Sequence, residues 1–206
     1  MNKMTIPPSI EPVEEEPDER TVPDLVIRAQ KGDEQAFSTL LNMYYGKTYG
    51  IAYGMLSNVD DARDLNQRIW TKIWKNIERF RRDSGFYTWV YRIATRECID
   101  FIRKVRRAPF VEPFGEEGPS LEENVKAVSY QEPDRQLLTR DRLEQFERAL
   151  EALSAEHRMA LTLREIEGLS YDEIAEAMDC RKGTVMSRLH HARRHVREFM
   201  EREDEV

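Results

Sequence analysis

Residues 173–189 read EIAEAMDCRKGTVMSRL, and their spacing sets the architecture of the whole chain. Glu173-Ile174-Ala175 opens a short helix, Asp179-Cys180 makes a tight corner, and Gly183-Thr184-Val185 begins a second helix. Ser170 and Glu173 stand at capping-box spacing, with Leu169 and Ile174 placed to form the hydrophobic staple around them. On the second helix Val185, Leu189, Ala192 and Val196 recur at steps of four, three and four, which makes them the inward stripe. Thr184, Ser187, Arg188, His191 and His195 fall on the other side, available to bases and phosphates. Two short helices joined by a turn, the second of them basic, form the geometry that places a helix end in the major groove of DNA.

Charge supports that reading once its distribution is considered. The chain has 206 residues and a formal net charge of −7. Residues 11–19 carry six acids and no base, and residues 112–134 carry seven acids and one base, Lys126. Residues 181–197 carry six Lys/Arg, no acid, and His190, His191 and His195. Net charge governs solubility, whereas a local basic face governs phosphate binding. No apolar run approaches membrane-span length, and residues 1–20 are too acidic for a signal peptide. Cys98 and Cys180 lie far apart without metal-ligand spacing, which suits two small side chains in a reducing cytosol. No cofactor or metal site is expected.

Outward from the helix pair, the periodicity is helical throughout. Residues 1–22 are rich in Pro and Glu and read as a disordered acidic tail. From Pro23 to Arg107 apolar residues recur at three and four. Asn58 with Asp61 predicts a capped helix running to about Ile77, and Gly85 separates it from another over about 87–106. Residues 108–136, with four prolines and two glycines, read as a flexible linker. Periodicity resumes at 137 and runs to 200 in about four helices, leaving 201–206 as a tail. The expected fold is all-α: two small helical domains, 23–107 and 137–200, joined by a flexible acidic linker, the second containing the helix-turn-helix.

The first domain holds further candidate groups. Arg92, Arg96, Arg103 and Arg107 fall within about 60° of arc at the helical repeat. Phe86, Tyr87 and Trp89 precede them beside Arg81 and Arg82. Rings interleaved with guanidinium groups suit single-stranded nucleic acid, while Phe86 and Trp89 equally fit a core. On the helix before, Leu65, Ile69 and Ile73 form one stripe, with Asp64, Gln67, Trp70 and Trp74 beside it. Tryptophan among polar residues reads either as an exposed protein interface or as core. Asp60, Asp61 and Asp64 have the spacing of a diphosphate-Mg²⁺ motif, but no second acidic motif faces them, and acids at a helix N-terminus account for them.

Three stretches together carry a resemblance: DARDLNQRIWTKIWKNIERF (61–80), FYTWVYRIATRECIDFIRK (86–104) and LSYDEIAEAMDCRKGTVMSRLHHAR (169–193). In this order, split by an acidic linker, they resemble the extracytoplasmic-function (group IV) sigma factors of bacterial RNA polymerase. The resemblance implies a promoter-specificity subunit without catalytic residues or a small-molecule substrate. Region two would be 23–107, with Asp64, Leu65, Gln67, Trp70 and Trp74 docking on the β′ coiled coil of core polymerase. Phe86, Tyr87, Trp89, Arg92, Arg96, Arg103 and Arg107 would recognise and melt the −10 element. Region four would be 137–200, reading the −35 element through Arg181, Lys182, Thr184, Ser187, Arg188 and His191, with the β flap as its polymerase partner. The linker would thread near the active cleft. Partners would be core polymerase, promoter DNA and an anti-sigma factor, and the location cytoplasmic, with the anti-sigma factor able to hold the protein at the membrane. Arg63 stands where the family has Glu, Arg96 where it has Asn, Asp179 where Gly is usual, and Arg181 where a Ser cap is frequent. The competing reading is a free-standing helix-turn-helix regulator that binds duplex DNA without polymerase.

Overall fold

The computed structural model describes residues 19–105 and 140–204. The linker expected at 108–136, most of the tail expected at 1–22, and Arg107 lie outside the described residues. After a single 3-10 turn at Glu19–Thr21 come α1 (Val22–Gln30), α2 (Glu34–Leu56), α3 (Val59–Asn76) and a second 3-10 turn, Ile77–Arg79. Helix α4 spans Phe86–Val105, and the second set is α5 (Arg140–Glu151), α6 (Ala155–Glu165), α7 (Tyr171–Ala177) and α8 (Lys182–Asp204). Among the described residues there is no strand, and no helix is long and apolar enough to cross a membrane. Helical structure thus begins at Glu19, inside the stretch expected to be tail.

Local chemistry explains where the helices start and stop. The Asp33 carboxylate accepts from the Ala36 N–H at 3.0 Å and opens α2, after Gly32 turns the chain at φ +88°. That backbone hydrogen bond, together with Arg28 beside it, holds the Asp33 carboxyl below its ordinary range. Helix α2 ends at Ser57, whose φ of 52° is left-handed and whose N–H reaches the Tyr53 carbonyl at 2.8 Å. Asn58 caps α3 through the N–H groups of Asp60 and Asp61, both at 3.0 Å. The capping box at Ser170 and Glu173 is formed on both sides. The corner between α7 and α8 is turned by Asp179 at φ 53°, a conformation that a short carboxylate side chain tolerates.

The first four helices pack around α2. Phe37, Leu40, Leu41, Tyr44, Ile51 and Met55 on one side of α2 bury against Leu65, Ile69, Trp70 and Ile73 of α3 and Val90, Ala94 and Cys98 of α4. Gln30 donates to the carbonyls of Ile77 (3.0 Å) and Phe80 (2.8 Å), which fastens the segment before α4 onto α1. Helix α6 is buried around its circumference: Ala155, Arg158, Met159, Ala160, Leu161, Thr162 and Leu163 all lie inside. A helix covered on all sides needs neighbours on both faces. One face meets α8, and the other meets α2 and α4, so the two helical sets lie packed against each other.

Candidate nucleic-acid interface

Helix α8 presents its polar side much as its spacing predicts. Val185, Leu189 and Ala192 are buried, whereas Arg181, Lys182 and Ser187 are exposed and Thr184 and His191 half-buried. Arg188 is also half-buried and donates to the Cys180 sulfur at 3.6 Å, bracing the corner. Among the described residues α8 makes ion pairs within its own helical set: Lys182 to Asp172 (2.9 Å), Arg193 to Glu165 (2.6 Å) and Arg194 to Glu198 (3.8 Å). Burial, then Arg194 and His190, hold the His191 imidazole below its ordinary range. At neutral pH it therefore donates or accepts hydrogen bonds but supplies no counter-charge to phosphate. The result is a shallow basic ridge, open to solvent, with its first turn leading.

The second basic face, on α4, is placed differently. Phe86 is only 5% exposed and Trp89 half-buried, so of the expected aromatic group Phe86 is core. Its ring packs against Tyr44 and Phe80 with centroids 5.7 Å away in each case. Trp89 lies 5.1 Å from Phe80, which lines a groove of about 520 Å³ together with Gln30, Glu78, Arg79, Arg81 and Arg82. Arg82 holds φ 62° there, a left-handed conformation that turns the loop back toward α4.

Along α4 the arginine stripe meets carboxylates from the second helical set. Arg92 approaches Glu176 at 3.7 Å and also donates to the Glu176 carbonyl. Arg96 pairs with Asp179 at 3.1 Å, and Arg103 pairs with Glu156. Arg96 and Asp179 are thus partners of each other. The Tyr87 hydroxyl donates to Glu173 at 3.0 Å and the Tyr91 hydroxyl to Glu167 at 3.1 Å. Burial pushes the Glu167 carboxyl above its ordinary range, against opposing pulls from Tyr91 and Lys47. Nothing in the sequence singles out Glu156, Glu167, Glu173 or Glu176 as partners of α4, because each lies 53 to 86 residues from the group it meets.

Helix α3 divides its candidate residues between core and surface. Trp70 is fully buried, its indole N–H donating to the Thr48 hydroxyl at 2.9 Å and its ring edge-on to Phe37. Leu65 is likewise in the core at 1% exposure. A buried indole needs an acceptor, and the one it finds lies 22 residues away on α2, which spacing within α3 does not disclose. Asp64 is exposed, and Gln67 and Trp74 are half-buried, with Trp74 tilted over Phe37 at 4.5 Å. The outer face of α3 is therefore carried by Asp64, Gln67 and Trp74. Among the described residues no group of three or more His, Cys, Asp or Glu is arranged to hold a metal ion.

Comparison with known proteins places these faces in context. Residues 40–108 match the family model described as Sigma-70 region 2, and residues 143–196 match Sigma-70, region 4. The chain is 36% identical over 170 residues to the ECF RNA polymerase sigma-E factor of Escherichia coli (strain K12), covering 82% of this chain and 88% of that protein. It is 37% identical over 171 residues to the RNA polymerase sigma-H factor of Pseudomonas aeruginosa, with the same coverage. Among solved structures it resembles the sigma factor RpoE in complex with the anti-sigma factor NepR from Bartonella quintana, at a TM-score of 0.56 and 26% identity. That match covers 80% of this chain and 96% of that one. CnrH in complex with the cytosolic domain of CnrY shares the fold, with a TM-score of 0.62 at 19% identity over 86% of this chain and 96% of that one.

Proposed function

Because the chain belongs to the extracytoplasmic-function sigma factors of bacterial RNA polymerase, we propose a division of labour among the faces described above. As such a factor it binds core RNA polymerase and promoter DNA and directs transcription initiation. The observation that carries this over a free-standing regulator is the presence of both matched regions, in order, in one chain. A regulator that binds duplex DNA alone has no use for the arginine-lined α4.

The finer assignments are ours. The outer face of α3, through Asp64, Gln67 and Trp74, is the surface for the β′ coiled coil of core polymerase. Leu65 and Trp70 support it from within, since neither reaches solvent. The groove beside Trp89, with Arg81 and Arg82 at its rim, has the composition to take an unstacked base. Tyr87, Arg92, Arg96 and Arg103, with Arg107 beyond the described residues, would follow the strand backbone, with Phe86 packed beneath the rings. Region four would read the −35 element through Arg181, Lys182, Thr184, Ser187, Arg188 and His191, and would meet the β flap. Regions two and four take residues 23–107 and 137–200, with 108–136 between them. The protein acts in the cytoplasm and makes no bond itself, polymerisation being the work of core. An anti-sigma partner, as in the RpoE–NepR complex, would compete for these surfaces and could hold the protein at the membrane.

Comigration with bacterial core polymerase on gel filtration tests the α3 assignment. Alanine at Gln67 and Trp74 together is expected to lower retention by core at least tenfold with helicity unchanged. Undiminished retention would overturn the assignment.

A further inference from the structure

We infer that Met186 is a specificity-determining residue of region four, which reads the methyl group of a thymine in the −35 element. The inference rests on the sigma-factor reading and names one determinant within it that the charge of α8 does not disclose.

Exposure along the leading turns of α8 singles this residue out. Lys182, Gly183, Met186, Ser187 and His190 are exposed, whereas Thr184, Arg188 and His191 are half-buried. Arg188 turns back to Cys180, and the His191 ring lies 6.2 Å from that of His157 on α6. At about 100° per residue, Gly183, Ser187 and His190 stand roughly opposite the buried Val185, Leu189 and Ala192, with Met186 beside them. The side of α8 that is freest to enter a groove is therefore rotated away from Thr184, Arg188 and His191, and Met186 belongs to it.

Two further observations favour close contact on this side. Met186 is 39% exposed and is the one large apolar residue of α8 left exposed among the described residues. A single apolar side chain on a surface is ordinary, but this one stands where a base-reading helix meets its groove. Gly183, three residues earlier, weakens the helix, yet its φ is not left-handed and a Cβ there would meet nothing within 4 Å. Nothing among the described residues asks for a glycine at that position, and a bare backbone lets the wall of a groove come close.

The chemistry of the groove then selects the ligand. Base edges in the major groove present hydrogen-bonding groups, and the thymine C5-methyl stands out among them as apolar. A thioether donates no hydrogen bond and accepts only weakly, so against a polar edge it displaces water without replacing it. Against a methyl group the same contact is favourable, and the flexible side chain can follow the methyl's position.

The test uses the full chain with purified bacterial core polymerase. Run-off transcription of a genomic library defines the −35 element, and templates are then made in which each of its thymines is replaced in turn by deoxyuridine. That replacement deletes the C5-methyl and keeps every hydrogen-bonding group. For the wild-type chain, deoxyuridine at one position is expected to lower initiation at sub-saturating holoenzyme by about fourfold, the worth of one buried methyl. Met186→Ala, at an exposed position, is expected to keep its helicity and to initiate equally from the thymine and deoxyuridine templates. Wild-type initiation indifferent to every methyl, or a thymine preference that persists undiminished in Met186→Ala, overturns the inference and leaves the sigma-factor reading standing. Absence of core-dependent transcripts from the wild-type chain removes the sigma-factor reading and this inference with it.

Discussion

Helices α4 and α8 are both basic, and both fit DNA from their sequences, yet they sit in opposite electrostatic settings. On α8 Arg181 is exposed, and among the described residues the ion pairs of Lys182, Arg193 and Arg194 are made within its own helical set. On α4 the corresponding cations face carboxylates delivered from the other helical set. A basic stripe therefore identifies a phosphate-binding surface but not its availability. Availability depends on which acids the fold carries to it, and here those acids come from α6, from α7 and from the corner between α7 and α8.

The largest effect on this contrast comes from beneath α4. Trp70→Ala removes a fully buried ring, its contact with Phe37 and the hydrogen bond to Thr48. It should cost about 3–5 kcal/mol by thermal or denaturant unfolding and collapse the α4 platform while α8 keeps its helicity. A loss below about 1 kcal/mol would contradict the burial of this ring.

Arg158→Met addresses the pin between the helical sets. It leaves the Gly54 carbonyl without its buried donor, which should cost about 1–3 kcal/mol and speed hydrogen exchange in the last turn of α2. Unchanged exchange there would show that Arg158 does not cap that helix in solution.

Salt dependence separates the two basic helices more gently. Arg181→Ala should lower the salt slope of duplex binding by the free chain by about 1. Arg96→Ala should leave that slope unchanged in the free chain, since Arg96 faces Asp179. An equal effect from both would remove the distinction between the two faces.

A still smaller effect is expected from pH. Partial burial against the first helical set raises the Glu167 pKa, so the packed arrangement of the two sets binds its proton more tightly than a separated one. Its contribution to that packing is therefore complete below the ordinary glutamate value and is lost as pH rises through the raised one. The radius of gyration should rise slightly across that window and become flat in Glu167→Gln. A fall in radius with rising pH would reverse the sign and contradict this linkage.

How much of the fold and the site is legible in the sequence depends on how far each interaction reaches. The caps at Asn58 and Ser170, the corner at Asp179 and the inward stripe of α8 are settled by neighbours within a few residues, and all appear as their spacing implies. The break between α1 and α2 escapes the apolar periodicity, although Gly32-Asp33 is a local turn and cap signal. Trp70 and Phe86 are ambiguous in sequence because burial of a ring depends on partners such as Thr48 and Tyr44, which lie on another helix. The packing of α6 and α7 on α2 and α4 is invisible there, since its hydrogen bonds join residues 53 to 107 positions apart. Only Gly50 and Gly54, two helix-weakening residues one turn apart, hint in the sequence that something approaches α2 closely.

Whether this chain confers promoter specificity on core polymerase is answered by run-off transcription of a genomic library with purified bacterial core. Discrete transcripts are expected that require both proteins and share −35 and −10 elements upstream of their starts. Transcripts identical with and without the chain, or tight duplex binding by the chain with no effect on core, would contradict the sigma-factor assignment.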